Sequence, residues 1–86
     1  MSHELIALKM CIDVFRPGTE VPEPNADSVR AAIDIIRPGL FAAALRLAKA
    51  EALRDASLAE GGIALDAATA ELQAARCAFE ALARGA

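Results

Sequence analysis

Apolar residues return at every third or fourth position along most of this chain, and the rhythm breaks only where proline or glycine stands. That spacing follows the turn of an α-helix and not the alternation of a strand. It predicts four helices, at about 2–15, 26–36, 39–60 and 65–84, within one domain spanning residues 1–86. In the first, Leu5, Leu8, Ile12 and Phe15 share a face, and Ser2 stands where a cap belongs. Arg16-Pro17 ends it, because a residue before proline is pushed out of helical geometry. Pro17, Pro22 and Pro24 then hold the loop over 16–25 extended.

The second helix takes Asn25 as its cap and Asp27 in its first turn. Val29, Ile33 and Ile36 form its apolar face, with Arg30, Asp34 and Arg37 on the wet side. The third starts with Pro38 in its first turn and stops at Gly61-Gly62. The fourth is capped by Asp66 and stopped by Gly85. The expected fold is therefore all-α: a small four-helix bundle or a pair of helical hairpins, completed by homodimerisation.

Composition supplies the reason for that last expectation. Alanine fills 22 of the 86 positions, tryptophan and tyrosine are absent, and phenylalanine occurs three times. Alanine favours helix but buries little apolar area, so the core per residue is thin and association would help to complete it. A net charge of −3 disfavours a broad phosphate-binding surface, so nucleic acid is not the expected partner. Cys11 and Cys77 make neither a disulfide framework nor a zinc spacing. The segment MSHELIALKMCIDVF carries Glu4 and Asp13 and lacks a basic leader, and no uncharged run reaches membrane-spanning length. A cytoplasmic protein that does not enter the membrane is the expectation.

Ile-Asp-Val-Phe-Arg-Pro-Gly at 12–18 returns as Ile-Asp-Ile-Ile-Arg-Pro-Gly at 33–39, identical at five of seven positions. Both read as helix endings, with a cation, a proline stop and a glycine turn. A duplicated unit that places two Asp/Arg pairs is the sharper alternative.

Two helices present more apolar surface than one small core requires. Leu5, Ile6, Leu8, Met10, Cys11, Ile12, Val14 and Phe15 nearly surround the first, leaving Lys9 and Asp13 as a polar wedge. Such a helix is either the centre of a bundle or the element between two protomers, and the second is preferred. On the fourth, Leu65, Ala68, Leu72, Ala75, Phe79 and Leu82 form a heptad seam. Ala67, Ala70, Ala74, Cys77, Ala78 and Ala81 line another face, small enough for a helix to approach closely. Protein-binding residues are therefore expected at Leu5, Ile6, Leu8, Met10, Ile12, Val14 and Phe15, and at Ala70, Ala74, Cys77 and Ala81.

No set of base, nucleophile and oxyanion donors can be assembled, so no catalytic residue, metal or cofactor is expected. Glu51 and Asp55 lie one turn apart on an apolar arc, but bundle metal sites draw Glu-x-x-His motifs and none occurs. The single histidine, His3, is close to the N-terminal end. Neither cysteine has a histidine or cationic setting to activate it, so both are expected to be buried and inert.

Ala26-Asp27-Ser28-Val29 opens a helix and resembles the Asp-Ser-Leu attachment site of acyl carrier proteins. The resemblance implies a small acidic four-helix carrier with a phosphopantetheine arm on Ser28. The chain departs from that family in the phase of Ile33, Ile35 and Ile36, in Arg30 where an acid is usual, and in a shorter preceding loop. An ordinary first-turn serine is the simpler account. A helix-turn-helix-like DNA reader is a further alternative, with Arg37-Pro38-Gly39 as its turn and Arg46, Lys49 and Arg54 on its third helix, interleaved with Glu51 and Asp55. The function expected first is non-enzymatic: a helical interaction or oligomerisation module, such as a small subunit, adaptor or inhibitor that binds a protein partner or itself.

Overall fold

The computed structural model describes residues 3–18 and 25–85, which form four helices and, among the described residues, no strand. They are α1 (His3–Phe15), α2 (Ala26–Ile36), α3 (Leu40–Ser57) and α4 (Gly62–Ala83). This is a small all-α bundle. The expected cap at Ser2 and most of the proline-rich loop lie outside the described residues.

The boundaries of α3 and α4 differ from expectation for identifiable reasons. Pro38 is in the turn before α3 and not in its first turn; Gly39, at φ +87°, occupies the N-cap position. At the other end, α3 stops at Ser57 and not Glu60. There Leu58 N–H donates to Asp55 O at 3.4 Å, and Glu60 N–H to Ser57 O at 3.1 Å. These three-residue spacings tighten the chain out of the α-helix before the glycines are reached. Helix α4 then starts at Gly62, three residues earlier than expected, because Gly61 at φ +64° and ψ −168° takes the N-cap. Asp66 therefore sits inside the helix and caps nothing. Asn25 does hold the N-cap position of α2, but its side chain makes no capping hydrogen bond.

The core forms around α3, which buries Leu40, Phe41, Ala43, Ala44, Leu47, Ala48 and Ala50. α4 packs along it most extensively and α1 next, while α2 touches α1 and α3 more sparsely. One cluster joins Ala7, Leu8 and Cys11 of α1 with Ile33, Leu40, Phe41 and Ala44. A second joins Leu47 and Ala50 of α3 with Leu72 and Ala75 of α4. Met10 and Phe79 pack against both clusters and link them. The fourth-helix seam is present as expected: Ala68, Leu72 and Ala75 are buried, while Leu65, Phe79 and Leu82 are half-buried.

Helix α1 is not the centre of this arrangement. Its buried residues are Ala7, Leu8 and Cys11, and the rest of its apolar shell is half-buried or, at Phe15, exposed. In α2 only Ile33 is buried; Ile36 is 63% exposed although its phase assigned it to the apolar face. Val29 on the same arc packs partly buried against the core, so the apolar face of α2 opens to solvent only at its C-terminal end.

The repeated ending has one backbone form and two side-chain uses. Arg16 N–H donates to Ile12 O at 2.7 Å and Arg37 N–H to Ile33 O at 2.8 Å. Gly18 and Gly39 both sit at φ +87°. Arg16 is exposed, and Asp13 pairs with Lys9 at 3.1 Å and not with an arginine. Arg37, expected on the wet side, is instead half-buried. Its Nη1 donates to Leu82 O at 2.9 Å and Ala83 O at 2.8 Å, and its guanidinium lies 5.6 Å from the Phe15 ring centroid. The C-terminal ends of α1, α2 and α4 thus converge on one cation, which satisfies orphan carbonyls and offsets their partial negative charge.

Two stability measurements follow. A domain of this size is held by only about 4–13 kcal/mol. Leu40→Ala, at a fully buried site, should remove about 2–5 kcal/mol in urea unfolding, while Ile35→Ala should be nearly neutral. Arg37→Ala should cost about 1–3 kcal/mol, and hydrogen exchange should accelerate first in the last turn of α4.

Candidate functional site

The residues expected to bind a partner separate into core and surface. Leu8 is a core residue, 3% exposed, so the monomer itself consumes it. Leu5 and Met10 are half-buried and pack on the core; Ile6, Ile12 and Val14 are half-buried, and Phe15 is exposed. On α4, Ala70, Ala74 and Cys77 are exposed and Ala81 is half-buried, so much of that small-residue face stands open.

The chemistry-bearing residues are dispersed. Among the described residues no group of three or more His, Cys, Asp or Glu side chains could hold a metal. Glu51 is half-buried, and Asp55 is exposed, with its Oδ1 3.3 Å from Arg54 Nε. Asp27 and Ser28 are exposed on the first turn of α2. Of the three cations considered for DNA, Arg46 is held by Glu71 of α4 at 2.6 Å and Arg54 lies beside Asp55, which leaves Lys49. The hydrogen bond and the charge of that partner hold Glu71 below the usual carboxylate range and push Arg46 up. This contribution is complete above the ordinary carboxylate pKa and fades as pH falls through the lowered value.

The cysteines differ from each other. Cys11 is fully buried, and burial, reinforced by the Asp34 charge, pushes its thiol up to about 11. Cys77 is exposed, contrary to the expectation that both are buried.

What the sequence reading missed is an exposed apolar surface on other elements. Ile63 is 88% exposed, and Leu53 and Leu58 are more than half exposed, all three around the α3–α4 turn. Ile35 is 81% exposed and stands with Ile36 at the other end, where Arg37 brings α2 against Phe15. Between these ends an open groove of about 420 Å³ is lined by Ala42, Leu45, Arg46, Lys49, Ala50 and Leu53 of α3 and by Glu71. The signal for it lies in the sequence: Leu45 and Leu53 flank Lys49 at one-turn spacing, on the face that also carries the cations of α3.

No protein-family model, curated protein or solved structure matches this chain. Among the described residues no helix is long and apolar enough to cross a membrane.

Cys77 should react at once with an aromatic disulfide reagent, and Cys11 only at the rate of unfolding. Absorbance of the released thiolate should therefore report one fast equivalent in native buffer and two in denaturant.

Proposed function

We propose that this chain is a helical protein-interaction module, a small subunit, adaptor or inhibitor that acts by docking and performs no chemistry of its own. The observation that carries the reading is the exposure of Leu53, Leu58 and Ile63 around one turn of so small a protein. Singly scattered apolar residues need no explanation, but three large aliphatic side chains exposed along one short stretch of chain, with Leu53 also lining an open groove, favour an interaction surface.

Placement in the cytoplasm belongs to the same reading, supported by two free thiols and no disulfide. Self-association is one form such docking takes. Native mass measurement distinguishes it, as a multiple of 8.9 kDa, from a complex with another chain.

The test is Leu53→Asp combined with Ile63→Asp. Both sites are exposed, so helix content and the unfolding midpoint should barely change, while any assembly seen for the parent protein should be lost in native mass spectra. Full retention of assembly in the doubly substituted chain would remove the α3–α4 end from the interface.

A further inference from the structure

The groove on α3 lies between two ends that already expose apolar side chains, and its lining has a helical rhythm. Ala42, Leu45, Lys49 and Leu53 succeed one another at spacings of three and four residues. That is the pattern of a helix–helix seam. From Ala42 to Leu53 the strip runs about 16 Å, or three turns. Its small residues, Ala42 and Ala50, permit close approach of a second backbone. From α4 the groove is lined by Glu71, whose helical face also carries Ala67, Ala74 and Ala78.

One charge interrupts this strip. Arg46 is already held by Glu71 at 2.6 Å, whereas Lys49 has no ion-pair partner among the described residues. Lys49 sits mid-seam, one turn from Leu45 and one from Leu53. A cation at such a position selects its partner, because packing against an apolar or cationic residue would strand it.

We infer that this groove takes one amphipathic helix of a different protein, seated by its apolar stripe and by a carboxylate that pairs with Lys49 Nζ. The inference rests on the interaction-module reading and specifies its partner. A second copy of this chain fits poorly. Antiparallel pairing about the middle of the strip sets Lys49 against a second Arg46, and parallel pairing sets it against a second Lys49. A small amphiphile fits poorly too, because such ligands bury roughly 70–90% of their surface and this groove is open along its length. A helix needs to bury only one face.

The test uses two labelled synthetic helices of about 18 residues, long enough to be helical alone, with identical Leu/Ala stripes. They differ only in carrying Glu or Lys at the position facing Lys49. Fluorescence anisotropy with the full chain should show the Glu peptide binding at least about tenfold more tightly than the Lys peptide. Lys49→Glu should reverse that order, and Leu53→Asp should abolish both, with circular dichroism confirming that each variant is folded. Equal binding of the two peptides would overturn the carboxylate assignment while leaving the interaction-module reading in place. No binding of either would overturn the groove as a helix site, whatever the native mass of the protein. Dodecanoate binding that depends on Lys49, with neither peptide bound, would assign the groove to a small amphiphile and overturn the proposal. Sedimentation showing a dimer that Leu53→Asp dissociates would assign the groove to a second copy and overturn it equally.

Discussion

The rest of the molecule depends on how α3 is buried. Its inward residues are mostly small: Ala43, Ala44, Ala48 and Ala50, with Leu40, Phe41 and Leu47 as the large members. Alanine contributes little apolar area, so such a contact gains mainly from close backbone approach and the dispersion contacts that follow. Both α1 and α4 use α3 as their principal support, and Met10 and Phe79 join the two clusters formed on it. Once α3 is committed in this way, little remains to bury α2. Ile33 is its one buried residue, with Ala26 and Val29 packed partly buried against the core, and Ile35 and Ile36 are left exposed.

Electrostatics secures the end where the helices meet. The C-terminus of a helix presents unsatisfied carbonyls and a partial negative charge, and here three such ends lie together. Arg37 meets all three, through two hydrogen bonds to α4, its own position after α2, and the face of Phe15. The earlier copy of the same motif shows how much of this is local. Arg16 ends α1 with the same backbone hydrogen bond and the same glycine geometry but stays exposed. The repeat encodes a helix stop. The clamp arises only because α4 finishes beside one of the two copies.

The surface left by this packing is what supports a docking role. A thin core leaves large aliphatic side chains outside it, and here they fall along the chain near the α3–α4 turn and at the end of α2. The groove between them has an apolar floor and, in Lys49, a cation with no ion-pair partner among the described residues, which is what supports the proposed seating of a helix. Among the described residues, Cys11 is sealed in the core, while Ser28 and Cys77 stand on different helices in solvent.

Much of the fold was legible in the residues themselves. The 3.6-residue period and the Pro and Gly breaks determined the number of helices, and the ends of α1 and α2 where they are described. The heptad of Leu65, Ala68, Leu72, Ala75, Phe79 and Leu82 determined which side of α4 faces inward. Periodicity is a property of one helix at a time, however, and it cannot say which helix meets which. The nearly all-apolar α1 is compatible with the centre of a bundle or, as preferred, with a place between two protomers, whereas only the packing showed α3 at the centre, Leu8 in the core and Leu53 outside it. The early end of α3 at Ser57 and the start of α4 at Gly62 escaped for a related reason, since a glycine pair marks a break without saying how its φ angles divide between two helices. The candidate groove was legible least of all. Its residues belong to a face that alternates Leu with Arg and Lys, and only tertiary structure decides that Glu71 claims Arg46 and that Lys49, between two leucines, has no ion-pair partner among the described residues.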